Sequence, residues 1–167
     1  MLKIGTIIEN IDKVFLLSEY TTPAEVIEIK TIKFGDQNDM IYILNNDLTI
    51  LIAEKEGICN ISKKIDMDQL GEYFSLEKLD KIITLDRQGE IAPLKRDDWI
   101  KDEMYYNKFD TYEGQYIDKI NPEKSQSFDY KTISGDKSSI DIEAFDDKID
   151  IYLTIHGKAE DLIYKNI

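Results

Sequence analysis

Hydrophobic and polar residues alternate most regularly late in the chain. Ile149, Ile151, Leu153 and Ile155 take turns with Asp150, Tyr152, Thr154 and His156, the two-residue period of a strand with one buried and one wet face. Ile140 and Ile142 begin the same pattern upstream, and Asp146 and Asp147 between them are turn formers that tolerate positive φ. Residues 138–155 therefore predict a β-hairpin. Its outward row would hold Asp136, Asp141, Glu143, Asp146, Asp147 and Asp150 against only Lys137 and Lys148, a dense negative surface.

Earlier in the chain, residues 2–8 and 14–17 predict a hairpin about a polar turn at 9–12, and Pro23, with no N–H for a ladder, ends it. Across residues 25–34 the apolar positions switch parity, Ile27 and Ile29 against Ile32 and Phe34, which predicts a β-bulge near Thr31. Residues 40–44 and 48–53 flank Asn45, Asn46 and Asp47 as a second hairpin, and the run LTILIA suits a strand covered on both faces. Gly57 turns the chain into a strand over 58–65. Over residues 66–79 the period changes: Met67, Leu70, Tyr73, Phe74 and Leu76, with Asp66 as N-cap, predict one or two short helical turns.

Residues 82–85 and 90–94 predict strands about Arg87, Gln88 and Gly89, with Pro93 placing the second at an edge. Residues 99–120 carry Trp99, Tyr105, Tyr106, Phe109, Tyr112 and Tyr116 on both parities, which fits a strand partly covered on each face. Residues 121–127 form a loop, 128–133 a strand, and 159–167 a short helical turn or edge strand. Strand signals recur about every ten residues. They predict a mostly β fold, antiparallel meanders forming a sandwich or open barrel with one or two short helices, in one domain over residues 1–167.

Charge narrows the partners. Lys plus Arg number 21 against 34 for Asp plus Glu, a formal net charge of -13. A polyanion is bound by clustered Lys and Arg, and the densest basic pairs here are Lys63 with Lys64 and Lys95 with Arg96. Neither a nucleic acid nor an anionic membrane is an expected partner, whereas a basic protein is. Cys59 is the only cysteine, so no intrachain disulfide forms and a reducing compartment, the cytoplasm, is expected. The apolar start is interrupted by Glu9, Asn10 and Asp12, and no run reaches the ~20 residues of a membrane span. Oligomeric state leaves no signal in the sequence.

Candidate chemistry is sparse. The eight glycines never lie within three residues of one another, so neither the dinucleotide fingerprint nor the P-loop is present, and no cofactor is expected. His156, the only histidine, reads as an exposed residue at a strand end, and Cys59 as core. A Cys59 and His156 nucleophile pair stays open, because such partners meet only in the fold. One Cys and one His are too few for structural zinc. Asp97 with Asp98, Asp66 with Asp68, and Asp146 with Asp147 offer oxygen ligands for calcium or magnesium, but none has the spacing of a calcium loop, and solvated acids are the preferred reading.

Lys3-Ile4-Gly5 at the start, the paired apolar strands over 40–53, the step Gly89-Glu90-Ile91-Ala92-Pro93 and the later Tyr112-Glu113 together resemble an uncharacterised family of small bacterial β-rich domains of unknown function. The resemblance leaves the acidic hairpin outside. It implies a β-rich fold and no enzymatic activity, and it assigns no functional residue.

From the residues themselves, non-catalytic binding is expected: an acidic protein that engages and inhibits a basic partner, in the manner of an immunity protein or a phage inhibitor. Asp141, Glu143, Asp146, Asp147 and Asp150 would supply the charge that speeds encounter. Tyr105, Tyr106 and Tyr112 would supply anchors, since tyrosine buries much area at low entropic cost and keeps a polar tip. Two alternatives are a carboxylate-based metal-dependent hydrolase and a structural module of a larger bacterial assembly.

Overall fold

Two four-stranded meanders, one from each half of the chain, make the framework. The structure, a computed structural model, describes residues 2–9, 23–96 and 105–166. After a short β1 (Ile7–Ile8), the first meander runs through β2 (Ala24–Phe34), β3 (Gln37–Leu44), β4 (Leu48–Ala53) and β5 (Ile58–Ile65). Helices α1 (Met67–Tyr73) and α2 (Leu76–Leu85) and the edge strand β6 (Gly89–Lys95) lead to the second, β7 (Tyr105–Ile117), β8 (Gln126–Ser134), β9 (Ser138–Ala144) and β10 (Ile149–Lys158). A final β11 (Tyr164–Lys165) pairs with β1, which in turn pairs with the start of β2.

The meanders join at both edges. β5 pairs antiparallel with β10 from Ile65↔Ile151 to Ile58↔Lys158. β2 pairs antiparallel with β7 over four residue pairs, Thr31↔Ile117 to Phe34↔Gly114. The sheet therefore returns on itself as an eight-stranded ring, with β6, β1 and β11 as extensions. The mostly β, antiparallel architecture with two short helices is as expected, and of the two predicted forms it is the barrel, with its ring closed. At eight strands a barrel interior is just wide enough to be filled by side chains or to hold one small ligand.

Local chemistry explains the elements. Asp66 caps α1 in a capping box: its carboxylate accepts from the Gln69 N–H at 2.8 Å, and the Gln69 side chain accepts from the Asp66 N–H at 3.0 Å. Residues 82–85, predicted as strand, are instead the last turns of α2. Leu79, Ile82 and Ile83 stand at helical i, i+3 and i+4 spacing toward the core, and Asp86 ends the helix with φ 50°. Of the two strands predicted about Arg87, Gln88 and Gly89, the first is thus absent, whereas the second is β6 and does lie at an edge, with a register irregularity between Glu90 and Leu94 around Pro93. The bulge in β2 exists but sits at Ile27, between Val26↔Leu44 and Glu28↔Ile43, rather than near Thr31. Val14 to Leu17 and Trp99, parts of two predicted strands, lie outside the described residues.

Among the described residues three apolar clusters result. Under α1 and α2, Leu70, Phe74 and Leu79 pack on the outer face of β5, β8, β9 and β10 through Ile65, Ile133, Ile140, Ile142, Ile151 and Leu153. Around the first meander, Leu2, Ile8 and Leu162 from the two chain ends cover Val26, Tyr42, Leu44, Ile50 and Cys59. Inside the ring, Ile32, Ile41 and Phe128 pack with Phe34, Ile43, Leu51, Tyr116 and Tyr130. Gly114 makes this third cluster possible: a Cβ there would stand 2.5 Å from the Phe128 ring and 2.8 Å from that of Phe34.

Candidate functional site

The predicted hairpin of residues 138–155 is present as β9 and β10, in register from Ile149↔Ala144 to Ile155↔Ser138. Its aliphatic face is core, as expected for Ile151 and Leu153, although Ile149 at the hairpin end is 65 % exposed. Its other face is not solvated. Asp141, Glu143 and Asp150 are only 7 %, 5 % and 8 % exposed, because ring closure turns the polar face of β9 and β10 into the barrel lumen. These three carboxylates cannot form the expected surface patch. Asp146 and Asp147, in the turn, are exposed as predicted.

Buried carboxylates need partners, and these have them. Asp141 accepts from Thr132 Oγ1 at 2.7 Å and from Thr154 Oγ1. Thr154 spends its one proton on Asp141, so its 2.7 Å contact with Ser62 Oγ has Ser62 as donor, and a relay runs from β5 through β10 to β9. Both oxygens of Glu143 accept from Tyr116 Oη, at 2.8 and 2.7 Å. Asp150 is held by Lys64 Nζ at 3.1 Å and Lys148 Nζ at 3.5 Å.

The lumen is electrostatically divided. One side is the apolar third cluster; the other is the polar wall of β5, β9 and β10, with Asn60, Ser62, Asp141, Glu143, Tyr152 and Thr154 lining a cavity of about 110 Å³. Burial pushes Glu143 up to about 7; Asp150 and Asp141 add to the rise, while the Tyr116 hydrogen bond and Lys30 oppose it. Burial and the neighbouring carboxylates likewise hold the Tyr116, Tyr130 and Tyr152 hydroxyls far above the ordinary phenol value, so they stay protonated as donors. Lys30 Nζ lies 5.6 Å from the centre of the Tyr116 ring.

The three predicted tyrosine anchors separate. Tyr106 is fully buried, its ring 5.3 Å from that of Phe74 and its hydroxyl bonded to Ser138 Oγ at 2.9 Å, so it is core and not an anchor. Tyr105 is exposed at the start of β7, paired with Lys95 of β6. Tyr112 is 51 % exposed and lines an open groove of about 920 Å³ where β2, β7, β8 and the end of β9 run side by side. Glu113, Asp129 and Asp146 line the same groove and are exposed, against the half-buried Lys33. Of the residues expected to meet a partner, the fold brings together Tyr112, Asp146 and the adjacent Asp147. Glu113 and Asp129 were missed, because strand parity alone does not reveal that β7 and β8 place them beside that turn.

Cys59 and His156 are on opposite faces. His156 pairs with Asn60, while Cys59 pairs with Gly157 and points into the first-meander core, where burial raises its thiol to about 11. His156 is half-buried rather than exposed; its Nε2 lies 3.1 Å from Ser139 Oγ, and burial lowers its basicity against the pull of Asp141. No Cys–His nucleophile pair exists. Among the described residues no three of His, Cys, Asp and Glu come together closely enough to hold a metal ion; Asp97 and Asp98 lie outside them. No helix among the described residues is long and apolar enough to cross a membrane. No family model, curated protein or solved structure matches the chain.

Proposed function

We propose that this is a non-catalytic binding protein for a basic partner, and that the partner seats in the open groove along β2, β7, β8 and β9. The observation that carries this is a groove lined by the half-exposed Tyr112 and by the exposed carboxylates of Glu113, Asp129 and Asp146. A groove with a tyrosine ring and carboxylates on its walls suits a basic surface, whose Lys and Arg side chains gain cation–π attraction from the ring and charge-assisted hydrogen bonds from the acids. The net charge of -13 steers a basic protein toward any such site and rejects acidic competitors. Where the groove covers the surface with which the partner acts, binding is inhibition, the mode of an immunity protein.

Calorimetric titration with an arginine-rich peptide tests this. Tyr112→Ala, and separately the triple change Glu113→Gln, Asp129→Asn and Asp146→Asn, are each expected to weaken binding about tenfold or more. Affinity is expected to fall between ~0.05 and ~0.3 M salt, as exposed charges are screened. Binding that survives the triple change undiminished, in a protein whose circular dichroism is unaltered, overturns the proposal.

A further inference from the structure

Strand β7 serves two neighbours along one edge and leaves a notch between them. β6 pairs with it as far as Gly89↔Phe109 and β2 begins at Phe34↔Gly114, so residues 110–113 have no strand on that side among those described. Backbone geometry says which groups the notch exposes. The turn bond from the Gly135 N–H to the Ser138 carbonyl makes the odd-numbered residues of β8 the ones that bond β9, so its even-numbered residues bond β7. Through the register Tyr130↔Tyr112, the even-numbered residues of β7 bond β8 and the odd ones face the opposite edge. The bond from the Phe145 N–H to the Lys148 carbonyl gives the same alternation from the far side of β9. Phe109 therefore faces β6, Gln115 and Ile117 face β2, and the N–H and C=O groups of Thr111 and Glu113 point into the notch with no backbone partner among the described residues. Gln88 donates to the Thr111 hydroxyl at 2.8 Å and leaves the backbone free.

An unpaired edge is a template for another strand unless it is blunted. The two ends of the sheet are blunted: β6 carries Pro93 and a register irregularity, and β11 is two residues long. The notch has neither protection. It opens into the groove already described, which Phe34, Gly35, Tyr112, Glu113 and Gly114 line. Its charge is unbalanced as well. Glu113 stands opposite Asp129 of β8 in a pair that shares no backbone bond, the kind in which side chains come closest. Like charges so placed repel, and among the described residues neither acid has a cation.

We infer that the basic partner adds a strand to β7 in this notch: an extended segment, antiparallel to β7, with Lys or Arg opposite Glu113 and an apolar or aromatic residue opposite Tyr112. This rests on the proposal of a basic partner and specifies how that partner is held. The residues opposite Thr111 and Glu113 exchange N–H···O bonds with them, and the cation relieves the Glu113–Asp129 repulsion. The residue between them turns its side chain to the face of Tyr112, Tyr130 and Phe34, where the Tyr130 ring centre lies 6.1 Å from that of Tyr112 and 5.2 Å from that of Phe34. Four residues span roughly 13 Å of strand, so the match is short and its backbone bonds count individually. A second copy of this chain, at a net charge of -13, is repelled from the same edge.

The test is amide hydrogen exchange of the intact protein, alone and with the peptide acetyl-VRYTV-amide, whose arginine, tyrosine and threonine stand opposite Glu113, Tyr112 and Thr111. In the free protein the Asp110 and Tyr112 amides, bonded to β8, are expected to be protected, and those of Thr111 and Glu113 to exchange fast. With peptide the latter two are expected to slow about tenfold or more. N-methylation of the peptide at its arginine or threonine, each of which donates to β7, is expected to weaken binding about tenfold, and at its central tyrosine, whose N–H points away, hardly at all. Affinity indifferent to which amide is methylated, bound peptide without added protection of Thr111 and Glu113, or failure of this peptide where the arginine-rich one binds overturns strand addition and leaves the basic-partner reading standing. No binding of either peptide overturns both. Protection of Thr111 and Glu113 that rises with protein concentration alone gives the notch to a second copy and also overturns the inference.

Discussion

The two faces of the β9–β10 hairpin are buried to nearly the same degree and made of opposite chemistry. Outward lie Ile140, Ile142, Ile151 and Leu153 beneath the helices; inward lie Asp141, Glu143, Asp150 and Thr154. On an open sheet such alternation separates dry from wet. In a closed ring both faces are interior, and the polar one marks a lumen. Burial on the first face is held by packing alone, and on the second only because each carboxylate meets a hydroxyl or an ammonium.

That contrast can be broken one face at a time. The largest effect is expected on the packed face, where Leu153→Ala leaves a cavity under the helices and lowers stability by about 2–5 kcal/mol, seen as a reduced urea midpoint at unchanged slope. Next is the pH response of the lumen. Glu143 is raised from 4.5 to about 7 in the fold, so its protonated form is favoured there. Its contribution is full below about 4.5 and is lost as pH rises through 7, a difference on the order of 3 kcal/mol. Urea midpoints at pH 5 and pH 8 are therefore expected to differ more in the native protein than in Glu143→Gln.

A smaller loss, about 1–3 kcal/mol, is expected for Asp141→Ala, which leaves the Thr132 and Thr154 hydroxyls without their acceptor. Adding Thr132→Val should recover part of it if the lumen face is held by pairing, and a fully additive double mutant would contradict that account. Least affected is the exposed turn. Asp146→Asn with Asp147→Asn should move the thermal midpoint by no more than an ordinary surface change, within about 0.5 kcal/mol, while weakening capture of a basic peptide.

Much of the backbone was legible from alternation alone: the β3–β4 and β9–β10 hairpins, the α1 cap at Asp66, and the parity slip in β2. The slip was misplaced because Ile27, the bulged residue, is apolar yet exposed, so it counts on the wrong face in a hydrophobic pattern. Residues 82–85 misled for a different reason: IITL has strand propensity, and only Leu79 and Ile83 at helical spacing, with tertiary cover to reward it, tip the balance. The site was the least legible part. Asp141 and Thr154 read as solvent-facing because period-two polarity is the same whether the polar side meets bulk water or a lumen. A usable signal did exist in the repeated Thr, Ser, Tyr and Asn opposite the acids on neighbouring strands, the hydroxyls and amides that a buried carboxylate recruits and a solvated one does not need.

The reciprocal joining of the two meanders bears on how the chain reaches this structure. Each meander is built from neighbouring hairpins, but both seams, Thr31 with Ile117 and Ile65 with Ile151, unite opposite halves of the chain. Loop-closure entropy must be met before such contacts reward it. The four-pair seam between β2 and β7 is the shorter of the two and is expected to zip last, enclosing the Tyr116–Glu143 pair of the second meander only in the final step. Until then the carboxylates of β9 and β10 remain hydrated, and acquiring a sealed interior and completing the fold are one event.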